Sequence, residues 1–492
     1  MDSITASKLP LAATTDVLVC GGGTAGAVAA IAAARAGAKV LIVEQLGLLG
    51  GTQSAAWVTP MMPNKILEES LTHGINDEII HRAAKYDPPP TDKSGDLLWF
   101  NPVTLAFVLD DMAADAGVRV LFHTFISDTV TSDIPDVVAR WRAQSGADVS
   151  DTTTAVPVTS PAHLTTEGAG VASVTGIVVE NKSGRQRIDA KVIIDCTGDA
   201  DVAVHAGVET VSGDPDDGHN QPMSLRFALA GVDQDRAVVF IADELGMPCY
   251  ARPPLFEIGT GEAKNTALGP LIGQAIDAGV LEEDDLGYLQ FFSMLGRPGE
   301  LAFNCPRIAG LKSTDAWDLS TAQQIGRQKI RRIATFFKKY VGGFENSYIG
   351  TVAPMVGVRE SRRIVGEYTL TEDDFLNEAR FDDSVARNSY PIDIHSVKAK
   401  AGIVMKHLPK GHYHEIPYRC MLPVGVDNLL VAGRCLSATF AAQAAVRIQQ
   451  NCRALGEAAG LAAAMAVESG VAVRDVDTVE LRRRLNAQGA QI

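Results

Sequence analysis

Residues 19–26 read VCGGGTAG, an apolar strand end that runs into a burst of glycines. Gly21, Gly23 and Gly26 fit the pattern G-x-G-x-x-G. The first glycine permits a tight turn, the second lets backbone approach a pyrophosphate, and the third lets helix and strand pack closely. Upstream, Asp16–Cys20 is a short apolar run. Downstream, an alanine-rich helical stretch leads to a second run, Val40–Val43. Strand, glycine turn, helix, strand is the first βαβ unit of a doubly wound sheet. Glu44 ends the second strand, roughly 20 positions past the glycines, where an acid accepts hydrogen bonds from both ribose hydroxyls and repels a 2′-phosphate. A dinucleotide other than NADP is therefore expected, with Thr24, Ala25 and Gln45 beside the turn and the acid.

The rest of the composition narrows the class. At 492 residues the chain is too long for one small core, so two lobes are expected. A formal net charge of −15 argues against nucleic acid or an anionic membrane as partner, though a local arginine cluster can still hold a small anion. Seven widely spread cysteines without a CxxC pair suit a reduced, cytosolic chain, neither a disulfide framework nor a zinc site. The first residues, MDSITASKLPLAATTD, have no basic segment and no sustained apolar core, and no signal peptide is read there. The apolar stretch Thr24–Val43 contains Arg35 and Lys39 and is better explained as helix plus buried strand than as a membrane span.

Further along, a helical pattern over Pro102–Ala116 ends at Gly117 and precedes a strand-like run, Val118–Phe122. Residues 131–170 are polar and rich in Ser, Thr, Asp and Pro, and read as a flexible insertion. A hairpin follows, Val171–Glu180 and Arg187–Asp195, leading into DCTGDAD. GAGVAS at 168–173 imitates the first glycine turn but leads into a β-like run, so the helix N-terminus that would face a phosphate is missing. From Leu429 the chain returns to a strand, a glycine turn and a long helix over about Ala441–Glu468. The two ends look like halves of one nucleotide domain, 1–205 and 425–492, with a substrate domain at 206–424 inserted between them.

The late return favours FAD over NAD, because a second strand-turn-helix can bring another helix N-terminus to the flavin end of a long cofactor. At this point the chain resembles the FAD-dependent oxidoreductase family of the glutathione-reductase-like flavoproteins, in the branch holding the fumarate reductase and succinate dehydrogenase flavoproteins. The carriers are GGGTAG with Glu44, the doublet Gly50–Gly51, IIDCTGDAD (193–201), GVRESRRIVGEYTLTEDD (357–374), IPYRCMLP (416–423) and NLLVAGR (428–434). The resemblance implies an α/β fold, a Rossmann-like FAD-binding domain with an inserted α+β substrate domain. It also implies that Thr197, Gly198 and Asp199 line the adenosine-to-pyrophosphate half of FAD. Gly433 and Arg434, with Ala445, Arg447 and Ile448 on the following helix, are implied near the ribityl chain and ring. Thr52 after the doublet and Ile126 complete the candidate cofactor residues. Covalent flavoproteins of this branch often carry a histidine near the doublet; GGTQSAAW has none, so FAD is expected to be non-covalent.

Two stretches could carry the chemistry. GVRESRR supplies Arg359, Glu360, Arg362 and Arg363, guanidinium forks suited to a carboxylate, or else a surface ion-pair strand. IDIHS supplies His395, and GHYHEIPYR supplies His412, His414, Tyr418 and Arg419. Histidine is the usual proton acceptor near neutrality, and His395 and His414 are favoured, with Tyr418 as a hydrogen-bond donor to substrate. A metal site on the histidines is set aside, as no carboxylate or cysteine stands at ligand spacing.

The expected protein is a cytoplasmic FAD enzyme that removes a hydride from a small polar substrate and passes electrons to oxygen or an external acceptor. The alternatives are reduction of an activated C=C bond in a carboxylate substrate, an FAD-carrying electron-transfer subunit, and FAD use without net redox. No iron–sulfur cysteine run supports the subunit. Neither nucleic acid nor membrane is expected as partner, and a homo-oligomer is compatible with the sequence.

Overall fold

The computed structural model describes residues 8–87, 100–131, 172–252, 255–395 and 403–492. The expected insertion at 131–170 lies outside the described residues apart from Thr131, as do the first seven residues.

The glycine turn sits where the βαβ reading puts it. Strand β1 (Leu11–Cys20) leads through Gly21–Gly23 into helix α1 (Thr24–Arg35), and β2 (Val40–Val43) follows. Helix α2 spans Ile75–Tyr86 and α3 spans Pro102–Asp115, the latter capped by the Asn101 side chain on the Val103 N–H at 3.1 Å. Then come β3 (Arg119–Leu121), β4 (Phe125–Thr131), and the hairpin β5 (Ala172–Asn181) and β6 (Gly184–Asp195). Ala172 opens a strand, and the GAGV before it lies outside the described residues.

The chain next builds a six-stranded antiparallel sheet from β7 (Phe227–Ala230), β8 (Tyr250–Arg252), β9 (Leu255–Thr260), β10 (Leu289–Ser293), β11 (Leu301–Phe303) and β12 (Tyr348–Val352), in the order β8-β9-β10-β11-β7-β12. The helix α4 (Ala316–Tyr340) contributes Ile330, Ile333, Phe336 and Phe337 to the core of this sheet. That core stops near Val356; buried residues from Leu370 to Leu422 join the core of the first sheet instead. Among the short strands of this later stretch are β13 (Ser384–Asn388), β14 (Ile392–Ile394) and β15 (His414–Pro417).

The C-terminal return closes the first sheet with β16 (Val426–Asp427) and β17 (Leu429–Val431). Eight strands result, with path β16-β5-β6-β1-β2-β3, β17 beside β6 and β4 beside β5. β1, β2, β6 and β17 are mutually parallel, and their registers align Cys20, Val43, Asp195 and Val431 in one row. In a parallel sheet the loops leaving such a row share one edge, where ligands of open α/β sheets bind. Val17–Cys20 and Val40–Val43 are buried throughout, because helices cover one face and the β5–β6 hairpin side the other.

The long C-terminal helix of the sequence reading is two helices, α5 (Phe440–Val446) and α6 (Gln449–Ser469), broken where Ile448 takes an extended backbone at ψ 155°. α6 lies on α1 in close backbone contact at two glycines. A Cβ on Gly456 would stand 2.2 Å from the Ala25 carbonyl oxygen, and one on Gly460 2.2 Å from that of Ala29. No helix among the described residues is long and apolar enough to cross a membrane.

α6 also caps α2. The Ile75 N–H donates to the buried Glu457 carboxylate at 3.0 Å, and burial pushes that carboxyl up to about 7 from 4.5. Below about pH 4.5 both folded and unfolded chains hold this proton; between about 4.5 and 7 only the folded chain does, so stability falls as pH rises through that window. Relative to wild type, Glu457→Gln is expected to gain roughly 2–3 kcal/mol on going from about pH 5 to pH 8. Urea denaturation at the two pH values measures this, and parallel pH dependence would contradict the assignment.

Candidate functional site

A cavity of about 490 Å³ runs along the aligned strand ends. At one end are Gly21, Gly23, Thr24 and Ala25. Gly21 has φ 93°, and a Cβ on Gly26 would lie 1.8 Å from the Gly21 carbonyl oxygen, so both are required by the protein's own packing. Gly23 differs. Its φ of −70° suits any residue, and a Cβ there would meet nothing of the protein closer than the Gly51 Cα at 3.9 Å. The space it leaves opens into the cavity, which fits a ligand that needs backbone contact.

Glu44 is buried at the end of β2. Its Oε2 accepts the Gly22 N–H at 2.6 Å and its Oε1 the Leu46 N–H at 2.8 Å, while burial raises its pKa. The acid thus ties down the glycine turn, and each oxygen keeps a lone pair for a hydroxyl. Gln45, Gly51, Thr52 and Ile126 line the same stretch of cavity. Gly50 does not. Its N–H donates to the Gly22 carbonyl at 2.8 Å and its open face is filled by Ser54, so it shapes the loop from behind.

Thr197, Gly198 and Asp199 line the cavity after β6, arranged by a fully buried aspartate. Asp195 accepts from the Thr197 N–H at 3.0 Å, the Thr197 hydroxyl at 2.7 Å and the Ala203 N–H at 2.9 Å. Arg434, arriving after β17 beside Gly433, lies against Gly198 and donates to Asp199 at 3.1 Å and to the Ser361 hydroxyl at 2.8 Å. Arg447 and Ile448, exposed to the cavity by the α5–α6 break, line its far part; Ala445 is buried in the core behind them.

The far part is rich in arginine. Arg359 is buried and donates to the Pro222 carbonyl at 2.5 Å and the Ser224 hydroxyl at 2.9 Å. Arg226 donates to Asn304 Oδ1 from Nε at 2.8 Å and Nη2 at 2.5 Å, while its buried Nη1 has no hydrogen-bond partner. Arg447 donates to the Asp393 carbonyl at 3.2 Å, and its Nε is likewise without a partner. Behind the lining, Arg307 stacks on the Tyr288 ring at 4.1 Å and donates to His395 Nδ1 at 2.5 Å. Burial, then the charges of Arg307, Arg226 and Arg447, lower the Arg359 pKa well below its ordinary value. Burial likewise brings Arg226 down to about 10.

Among the described residues, the carboxylate lining this end of the cavity is Asp393. It accepts from the Tyr390 hydroxyl at 3.1 Å and lies 3.3 Å from His395 Nε2 and 3.6 Å from Arg447. Burial opposes its ionisation, but the His395 contact and the Arg447 charge outweigh burial and hold it below the usual carboxylate range. Burial and then Arg359 push His395 down to about 3, so the imidazole is neutral.

Two candidate catalytic residues stand elsewhere. His414, on β15, is buried with Nε2 on the Asn388 amide at 2.9 Å and Nδ1 donating to the Glu415 carbonyl at 3.1 Å, and burial lowers it to about 4. Tyr418 is buried and donates to the Val473 carbonyl at 2.8 Å. Neither lines the cavity, and both satisfy core hydrogen bonds. His412 pairs with Glu378 at 2.6 Å at the surface. In GVRESRR, Glu360 and Arg363 form a buried pair, so that segment is neither a surface strand nor wholly part of the cavity. Arg226, Asn304, Arg307, Tyr390 and Asp393 were not among the sequence candidates. Only Asp393 left a signal, as it stands two residues from His395, on the same side of a strand.

A glycine turn on a parallel sheet, with a long cavity over its strand ends, defines a dinucleotide-binding α/β protein. The chain belongs to the FAD dependent oxidoreductase family, whose model matches residues 16–485. It is an FAD-dependent flavoenzyme. A thiamine thiazole synthase from Aeropyrum pernix is 34% identical over 134 residues, 27% of this chain and 46% of that protein. The match thus spans less than half of that relative. Among solved structures, a geranylgeranyl bacteriochlorophyll reductase-like protein from Thermoplasma acidophilum shares 13% identity over 97% of this chain and 84% of its own, with TM-score 0.42. The p-nitrophenol 4-monooxygenase of Pseudomonas putida shares 9% over 97% and 87%, with TM-score 0.44.

Because nothing but the cavity excludes a side chain at Gly23, Gly23→Val should keep wild-type denaturation of the apoprotein and lose at least roughly tenfold in flavin affinity. Fluorescence titration of apoprotein with FAD measures it; unchanged affinity would remove the glycine turn from the cofactor site.

Proposed function

We propose that the protein oxidises a small substrate bearing a carboxylate, or a comparable oxyanion, at a carbon carrying a hydroxyl or amino group. The observation that carries this reading is three guanidinium groups, Arg226, Arg359 and Arg447, at one end of the cavity, where Asp393 is the carboxylate among the described lining residues, with buried N–H groups of Arg226 and Arg447 unpartnered. Buried charge is costly unless paired, and planar N–H forks are matched by carboxylate oxygens. The motif resemblance to the fumarate reductase branch, whose arginines grip a carboxylate, supports the same reading.

In this reading the glycine turn, Glu44 and the Thr197–Asp199 turn hold the adenosine and pyrophosphate of FAD, without a covalent bond. Arg434, Arg447 and Ile448 hold its flavin half. When bound, FAD supplies a two-electron acceptor for a hydride leaving carbon. Arg226 and Arg359 bind the substrate anion, and Arg447, fixed by Asp393, orients it. His395, neutral and buried, takes the proton that leaves the substrate hydroxyl or amine. The electrons go on to oxygen or an external carrier.

Anaerobic titration of the purified holoenzyme with 2-hydroxy and 2-amino acids, against their amides and the matching simple alcohols and amines, tests the reading. Loss of flavin absorbance is expected with an acid and not with its amide. Arg359→Gln should raise the half-saturating concentration of that acid roughly 100-fold, about 3 kcal/mol. Equal bleaching by acid and amide would overturn the reading.

A further inference from the structure

The carboxylate of Asp393 is held by one of its two oxygens. Oδ2 accepts from the Tyr390 hydroxyl at 3.1 Å and faces His395 Nε2 at 3.3 Å and Arg447 Nη2 at 3.6 Å. Arg447 donates instead to the Asp393 backbone carbonyl, at 3.2 Å. Among the described residues no donor meets Oδ1, yet the carboxylate is not sealed in the core: Asp393 lines the cavity and its side chain is 13% exposed. The other carboxylates of the described lining, Glu44, Asp199 and Asp201, stand by the glycine turn and the Thr197–Asp199 turn, where Arg434 and Arg362 pair two of them.

The arginine end of the cavity thus holds, beside Arg226, Arg359 and Arg447, an acceptor oxygen that none of the three bonds. Burial opposes ionisation of Asp393, but His395 and then the Arg447 and Arg359 charges keep it ionised, so both guanidinium groups stand near it. A ligand that brings only a carboxylate is repelled by that oxygen. One that also brings a cation on the neighbouring carbon satisfies both signs.

We propose that the substrate is a 2-amino acid, its carboxylate on Arg226 and Arg359 and its ammonium group on Asp393 Oδ1. The inference rests on the anionic-substrate reading above and narrows its hydroxyl or amino group to the amino group. Asp393 is then a specificity-determining residue. Tyr390 and His395 engage Oδ2 and leave Oδ1 to the ligand. A hydroxyl also donates to a carboxylate, but a hydrogen bond between charged partners is roughly twice as strong as one between neutral groups. The hydroxy acid in addition carries its negative charge toward Asp393 with no positive group to offset it. Attraction of the ammonium and repulsion of the bare anion therefore select in the same direction.

The test is the affinity of the holoenzyme for 2-aminoisobutyrate, 2-hydroxyisobutyrate and 2-aminoisobutyramide, which lack the hydrogen that would leave as hydride. Binding is read from perturbation of flavin absorbance. The amino acid should bind at least roughly tenfold more tightly than the hydroxy acid. Asp393→Asn should weaken the amino acid roughly 30-fold or more and leave the hydroxy acid bound as tightly or more tightly. A wild-type protein that binds the hydroxy acid as well as the amino acid would overturn the inference and leave the anion reading standing. So would a variant that loses both acids alike, since that is the mark of a merely structural aspartate. An amide as tight as its acid, or no perturbation by either acid, would overturn the anion reading itself. Should the variant not fold, the wild-type comparison decides alone.

Discussion

The backbone contact between α1 and α6 is what the rest of the site depends on. Gly456 and Gly460 bring the last long helix so close to Ala25 and Ala29 that no Cβ fits between them. The helix that presents its N-terminus to the cavity is thereby locked to the C-terminal return of the chain, more than 400 residues away in sequence. The same contact sets the height of the α5–α6 break. Arg447 and Ile448 reach the cavity from that break, and a Cβ on Gly433 would stand 3.1 Å from the Ala25 methyl. A larger residue at 456 or 460 would have to lift α6, and the arginine end of the cavity would move with it.

The second constraint is electrostatic. The protein carries a formal charge of −15, yet its cavity ends in a cluster of guanidinium groups with, among the described residues, the carboxylate of Asp393 beside them. Local arrangement overrides the global field, because burial strengthens every interaction within the cluster and screens it from the acidic surface. Asp393 alone cannot satisfy the three cations that line this end, and it is already engaged by Tyr390 and His395. The neutral histidine and the unpartnered N–H groups both follow from that imbalance. A substrate anion relieves it, which links the electrostatics of the free protein to the substrate class proposed.

Much of this was legible in local pattern. The βαβ unit, the Val171–Asp195 hairpin and the returning strand at Leu429 are set by periodicity and glycine placement, and they stand within a few residues of the reading. The lining of the cavity along the strand ends follows from them, since those ends are aligned by register. What the sequence hid was tertiary. Arg226, Asn304 and Arg307 come from an antiparallel sheet region with no motif, and only folding brings them to His395. His414 and Tyr418 looked catalytic because their types and spacing matched, but burial and backbone partners absorb them in the core. The helix break at Arg447–Ile448 has no proline or glycine to announce it; contacts of Arg447 with Asp393 go with it instead.

The central claim is that the arginine end of the cavity takes a substrate anion beside the flavin. A crystal structure of the holoenzyme soaked with malonate tests it most directly. The account predicts FAD along the cavity from Gly23 to Arg447, with a carboxylate in hydrogen-bond contact with Arg226 and Arg359. Malonate absent from that cluster at a concentration that perturbs the flavin spectrum, or a flavin ring lying elsewhere, would contradict it.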